Sequence, residues 1–178
     1  MKNALTLIAI LACACSVPAS GNGAEALGVR VVLTTGEHSK DSSSRTTTIT
    51  VARDTIAWER TFGGREGRTP PSRKEFKLSP ADKKNLLRLI ESNNLLVTDS
   101  IKLPRASSNF RYFEISVGLT VGKKTGAISV SGMRTATAVR EERLYQNTLV
   151  LVKELHRIMN GQDKSILFEE LILEPLKR

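Results

Sequence analysis

The chain has 178 residues, 40% of them hydrophobic and 4% aromatic, with 27 Lys and Arg against 18 Asp and Glu and a net charge of +9. That size supports one domain with an adequate core, and no second domain is expected. The basic balance favours anionic partners, while the scarcity of aromatic stacking platforms, together with export, argues against nucleic acid.

The N-terminus reads as an address. Lys2 supplies a positive start, and Ala4 to Ala12 is an apolar run. A run of about nine residues suits a signal segment and is too short to span a bilayer. Val17-Pro18-Ala19 places small residues where a signal peptidase cuts, and Ser20-Gly21-Asn22-Gly23-Ala24 follows as a Gly-rich linker. The expected organisation is a signal segment over 1–19, a flexible linker over 20–26 and a single domain over 27–178. The protein is therefore expected to be exported: periplasmic, secreted or held at a membrane as a lipoprotein. Cys13 and Cys15 are the two lipidation candidates, because Ile10-Leu11-Ala12-Cys13 resembles a lipobox, with Leu11 where a smaller residue is usual. Simple cleavage near Ala19 is the alternative. No cysteine lies beyond Cys15, so the mature domain has no thiol for a disulfide, a zinc–thiolate site or a cysteine nucleophile.

In chain order, the β-branched stretch Leu27 to Thr35 predicts a first strand, and Gly36 to Ser44 a polar loop. Arg45 to Ala52 and Thr55 to Phe62 alternate, with Ile49, Val51, Ile56 and Trp58 on one face, and predict a hairpin turning at Arg53-Asp54. Gly63 to Pro71 reads as the clearest loop, and Arg73 to Leu78 as a short returning edge strand. Ser79-Pro80 starts the best-marked helix: a preferred N-cap, proline at the first position and Asp82 near the positive dipole end. Its stripe is Leu86, Leu87, Leu89 and Ile90, and Asn93-Asn94 suits its end. Asp99 to Ser108 reads as an irregular connector containing Pro104. Phe113, Ile115, Val117, Leu119 and Val121 then fall on one face of a strictly alternating strand, with one buried and one wet side. Gly122 to Gly126 turns the chain and Ala127 to Ser131 pairs back. A long helix runs from Thr135 to about Asn160, with Gly161 at its cap and a stripe of Tyr145, Leu149, Val152, Leu155 and Met159. Ser165 to Glu174 forms a last short element, helix or strand. The fold class is α+β: an antiparallel sheet of about five strands with two main helices packed on one face.

No catalytic constellation emerges from these elements. His38 sits beside Glu37 with Asp41 nearby, but only two histidines exist in the chain and a metal site needs three or four converging ligands. His156 suits the negative end of the long helix. There is no Gly-x-Ser-x-Gly elbow. Gly118 to Thr125 has three residues between its glycines and a strand–turn–strand setting, which rules out a phosphate loop that opens a helix. Glu141-Glu142 and Glu169-Glu170 are adjacent pairs that diverge on a helix. No cofactor, metal or catalytic residue is assigned. The main surface feature is the basic stretch Gly63 to Lys74. Its Arg65, Arg68, Arg73 and Lys74 are the candidate partner-binding residues.

Arg111-Tyr112-Phe113-Glu114-Ile115-Ser116-Val117, then Ala127-Ile128-Ser129-Val130-Ser131, then a long helix, resembles the emfourin family, small bacterial protein inhibitors of thermolysin-type metalloproteases. The resemblance covers Ser79 to Asn160 and implies an α+β architecture and, as a function, protease inhibition. The longer N-terminal β region, the Gly63–Pro71 loop and the extra C-terminal residues depart from the family pattern, and no inhibitory residue transfers. The leading expectation is a non-enzymatic exported domain that binds a protein or an anionic polymer of the cell envelope. It would touch a membrane only through a lipid anchor. The alternatives are a protease inhibitor that inserts Gly63–Pro71 or the connector around Pro104 into a cleft, and a hydrolase whose site assembles from distant segments.

Overall fold

The computed structural model describes residues 26–38, 43–64, 67–68, 70–102, 110–133 and 143–166. Strict alternation produces the central strands. β1 (Leu27–His38) buries Leu27, Val29, Val31 and Leu33. It lies between β2 (Ser44–Ala52) and β7 (Phe110–Val121), antiparallel to both. β3 (Thr55–Gly64) pairs with β2, so Ile49 lies opposite Trp58 and Val51 opposite Ile56. The outer edge of β3 is shared end to end. β4 (Gly67–Arg68) takes Gly63 and Gly64, and β5 (Ser72–Lys77) takes Thr55 to Arg60. On the other side β8 (Lys124–Met133) pairs with β7, and β6 (Thr98–Lys102) closes the sheet as its one parallel partner. The described sheet is thus seven positions wide, mostly antiparallel and α+β in class.

Both helices cover one face of this sheet. α1 (Pro80–Ser92) is capped as its sequence dictates: Ser79 Oγ accepts from the Asp82 N–H at 3.1 Å and donates to Asp82 Oδ2 at 2.6 Å. It ends at Asn93, and Asn94 takes a left-handed φ of 51°. α2 (Arg143–Gln162) buries the whole stripe of Tyr145, Leu149, Val152, Leu155 and Met159. The helices run antiparallel, because Arg157 pairs with Asp82 at 2.7 Å, Asn85 donates to Glu154 at 2.6 Å, and Asn147 donates to the Asn93 carbonyl at 3.0 Å. Their stripes and the alternating strand residues form one apolar cluster. Burying this area is the main favourable term of folding.

Several boundaries differ from expectation. The sheet is wider than about five strands because β6 forms inside the expected connector. Its ladder to β8 is a backbone pairing that leaves little periodicity in five residues, with Ile101 alone packing against the core. Gly36, Glu37 and His38 extend β1 instead of opening a loop, paired to Tyr112, Arg111 and Phe110. Gly63 and Gly64 belong to β3 and Gly67-Arg68 to β4, so four of the nine residues of the expected loop are ladder. The β7–β8 turn shortens to Gly122-Lys123, with Gly122 at φ 59°. α2 runs through Gly161 to Gln162. The Gln162 amide donates to the Lys77 carbonyl at 2.8 Å and accepts from the Lys77 N–H at 3.1 Å. That bracket and the contacts of the last turn offset the cost of about 1 kcal/mol for glycine inside a helix. The stretch 134–142, where α2 was expected to begin, lies outside the described residues, as do the signal segment, most of the linker and the C-terminal segment beyond Ile166.

Candidate binding surface

The strand register sorts the chain's connections into two ends. At one end the links are short. Arg53-Asp54 joins β2 to β3, Gly122-Lys123 joins β7 to β8, and Leu78-Ser79 joins β5 to α1. The Leu78 N–H donates to the Asp54 carbonyl, and the Gly122 N–H donates to the Ala26 carbonyl, each at 2.9 Å. At the opposite end the links after β1, β6 and β8 are long, while the β3–β4 link over 65–66 is as short as the turns just named. There the chain leaves β1 at His38, β3 at Gly64, β6 at Lys102 and β8 at Met133, and re-enters at Ser44, Gly67, Phe110 and Arg143. Register brings these positions together: His38 lies opposite Phe110, Ser44 opposite Gly63, Tyr112 opposite Met133, and Lys102 opposite Ser131. The two candidate insertion segments, Gly63–Pro71 and the connector around Pro104, both start and finish at this one end.

The sheet face away from the helices is paved with small polar residues. One row across all seven positions runs Ser100, Ser129, Ser116, Val32, Thr48, Glu59, Arg73. At a spacing of roughly 4.8 Å per strand this face is about 30 Å wide. Thr34 and Thr46 hydroxyls lie 3.3 Å apart upon it.

The basic residues singled out from the sequence separate under this geometry. Arg65 lies outside the described residues, and Arg68 lies on β4 at the long-link end. Arg73 and Lys74 sit on β5, on opposite faces, and each already holds an acidic partner. Arg73 bridges Glu75 at 2.9 Å and Glu59, directly across the ladder, at 3.1 Å. Lys74 Nζ donates to Asp163 at 2.6 Å and to Ser165 Oγ at 2.7 Å, fastening the turn after α2. These contacts, with the Ser165 N–H, hold the Asp163 carboxyl down at about 2. A partner reaching either cation must compete with these bonds, an arrangement that sequence spacing does not reveal.

A second charged group ties the helices together. Arg157 draws Glu154 and Asp82 toward it. Its hydrogen bond pushes the Glu154 carboxyl below the usual range, and the Ser79 hydroxyl does the same, more strongly than Arg157, for Asp82. His156 has a structural position, with its Nε2 3.0 Å from the Ile166 carbonyl, which Asn160 also reaches at 3.2 Å. This contact to the following turn, rather than the helix dipole alone, accounts for a histidine there. His38 lies on β1, 118 residues away in sequence from His156 and at the opposite end of its strand from the short turns. Among the described residues no group of three His, Cys, Asp or Glu side chains could hold a metal ion. Also among them, no helix is long and apolar enough to cross a membrane. Cys13, Cys15, Asp41, Glu141, Glu142, Glu169 and Glu170 lie outside the described residues.

No protein-family model matches the chain, and no curated protein matches it.

Proposed function

We propose that this is an exported, non-enzymatic binding domain that meets a protein partner with its long-link end. The carrying observation is topological. The connections after β1, β3, β4, β6 and β8 open at one end of the sheet, three of them five to nine residues long, while the opposite end holds the two-residue β2–β3 and β7–β8 turns, the Leu78-Ser79 link and the link from α1 to β6 over 93–97. Loops gathered on one end of a scaffold are the ordinary way to build a recognition surface. In sequence, the segments that join these strands carry both signs of charge, with Arg65, Arg68, Arg105, Arg134 and Arg140 beside Asp41, Glu66, Glu141 and Glu142. A mixed surface suits a protein partner better than a uniform polyanion. A pulldown from envelope extract tests this. The expected result is a partner held at low salt, weakened at high salt, lost from R65E/R68E and retained by K123E/K124E. Identical recovery by both variants contradicts it.

The convergence of Gly63–Pro71 and the Pro104 connector at this end favours a second, narrower reading, in which the partner is a protease and one of these segments enters its cleft. Purified protein titrated into thermolysin-type metalloproteases tests it. Inhibition that saturates at a fixed molar ratio supports the reading, and full activity at a large excess removes it for the enzymes tried.

A further inference from the structure

The short-turn end collects a separate set of charges. Arg53 at the β2–β3 turn, Lys77 at the end of β5, Lys84 in the first turns of α1, and Lys123 and Lys124 at the β7–β8 turn are all exposed. They are far apart in sequence and are brought together by the pairing of Leu27 with Val121, Ala52 with Thr55 and Thr55 with Lys77. Among the described residues, the acidic groups beside them are already engaged, Asp54 by Lys83 at 3.2 Å and Asp82 by Arg157 at 2.7 Å. No ion pair ties up the five named cations among the described residues. The two hairpin tips lie about three strand spacings apart, roughly 14 Å. The result is an extended basic rim.

The chain also enters the domain here. Ala26 lies at this same end, its carbonyl bonded to the Gly122 N–H at 2.9 Å. The N-terminal stretch with its apolar run and both cysteines therefore joins the domain beside Lys123. Ala26 lies eleven positions after Cys15, a reach of at most about 40 Å. A tether at the N-terminus thus attaches on the side of the basic rim and not on that of the long-link end.

We propose that this rim docks on the surface of an anionic phospholipid bilayer and so turns the long-link end away from the membrane. Phosphate headgroups are complementary to a rim of cations that form no ion pair among the described residues. Each Lys or Arg near such a surface strengthens binding by about 1 kcal/mol, or roughly fivefold. Five cations spread over the end of the sheet and the start of α1 suit an extended surface better than a single phosphate. The proposal uses the export reading only to say which membrane the domain meets, and headgroup binding stands without it.

Flotation of the full chain with phosphatidylcholine vesicles, with and without phosphatidylglycerol, tests it. The expected result is binding that requires phosphatidylglycerol and weakens in high salt. K123Q/K124Q should lower the partition roughly 25-fold, from two losses of about fivefold. R68Q/R143Q removes the same charge from the opposite end and should lower it less than about threefold. Equal losses in the two double variants mean binding by net charge alone, and overturn the proposal. Equal flotation of the unaltered chain on both vesicles means insertion by the apolar run alone, and also overturns it. If K123Q/K124Q keeps its protein partner in the pulldown while losing vesicles, the two ends act separately. Loss of the partner from R65E/R68E with vesicle binding intact is the reverse signature. Failure of either reading is therefore distinguishable from failure of the other.

Discussion

Two residues show how local chemistry holds this fold. Gly126 on β8 sits directly against the chain between α1 and β6: a Cβ there would lie 2.8 Å from the Leu95 carbonyl oxygen and 2.9 Å from the Leu96 Cα. Both are backbone atoms and cannot swing aside. Gly126→Ala should therefore destabilise the protein by about 2 kcal/mol through overpacking, read as a lower urea midpoint at unchanged slope. An unchanged midpoint would mean that this packing is not as tight as described. Asp163 gives a pH signature. Its carboxyl is held at about 2 by Lys74, then by Ser165, against an ordinary value of 3.8. The folded state thus binds this proton less readily than the unfolded chain. Its contribution is complete above about pH 4 and is lost as the pH falls toward 2. The thermal midpoint should drop more between about pH 5 and pH 2.5 in the unaltered protein than in Asp163→Asn. Parallel falls would mean that Asp163 has no part in the acid response.

At the level of elements, α1 depends on its first turn. Ser79→Ala removes the hydroxyl that accepts from Asp82 N and steadies the Asp82 carboxylate, and should cost about 1 kcal/mol in chemical denaturation. Ser79→Asp should recover most of the loss, since it also caps. α1 was legible in the sequence because every signal was local: cap, proline, stripe and the Asn93-Asn94 exit all lie in one window. The strict alternation of β7 and the stripe of α2 were legible for the same reason. β6 was not, because Thr98–Lys102 has one inward apolar residue and owes its conformation to the backbone of β8, some 29 residues away. The run of α2 through Gly161 was hidden likewise. The sequence rule places glycine past a helix end, whereas here Gln162 is bracketed by both backbone groups of Lys77 on another element.

For the whole molecule, the net charge of +9 is divided by the topology. Charge counting alone assigns the basic character to one loop. In the fold, Arg73 and Lys74 of that stretch serve internal pairs, and Arg53, Lys77, Lys84, Lys123 and Lys124, exposed and in no ion pair among the described residues, lie at the short-turn end. Neither end was legible from the sequence, because each is assembled by ladders between strands far apart in the chain. The presence of turns was legible, but their distribution was not. The domain thus has two differently built ends, one of tight basic turns beside the entry of the chain and one of long links proposed to meet a protein. Site-specific photo-crosslinking in cells tests this most directly, with the reactive side chain placed at Ser72 beside the long links or at Thr125 beside the β7–β8 turn. The prediction is a discrete protein adduct from position 72 and none from position 125. An adduct from position 125 alone, or the same adduct from both, would contradict it.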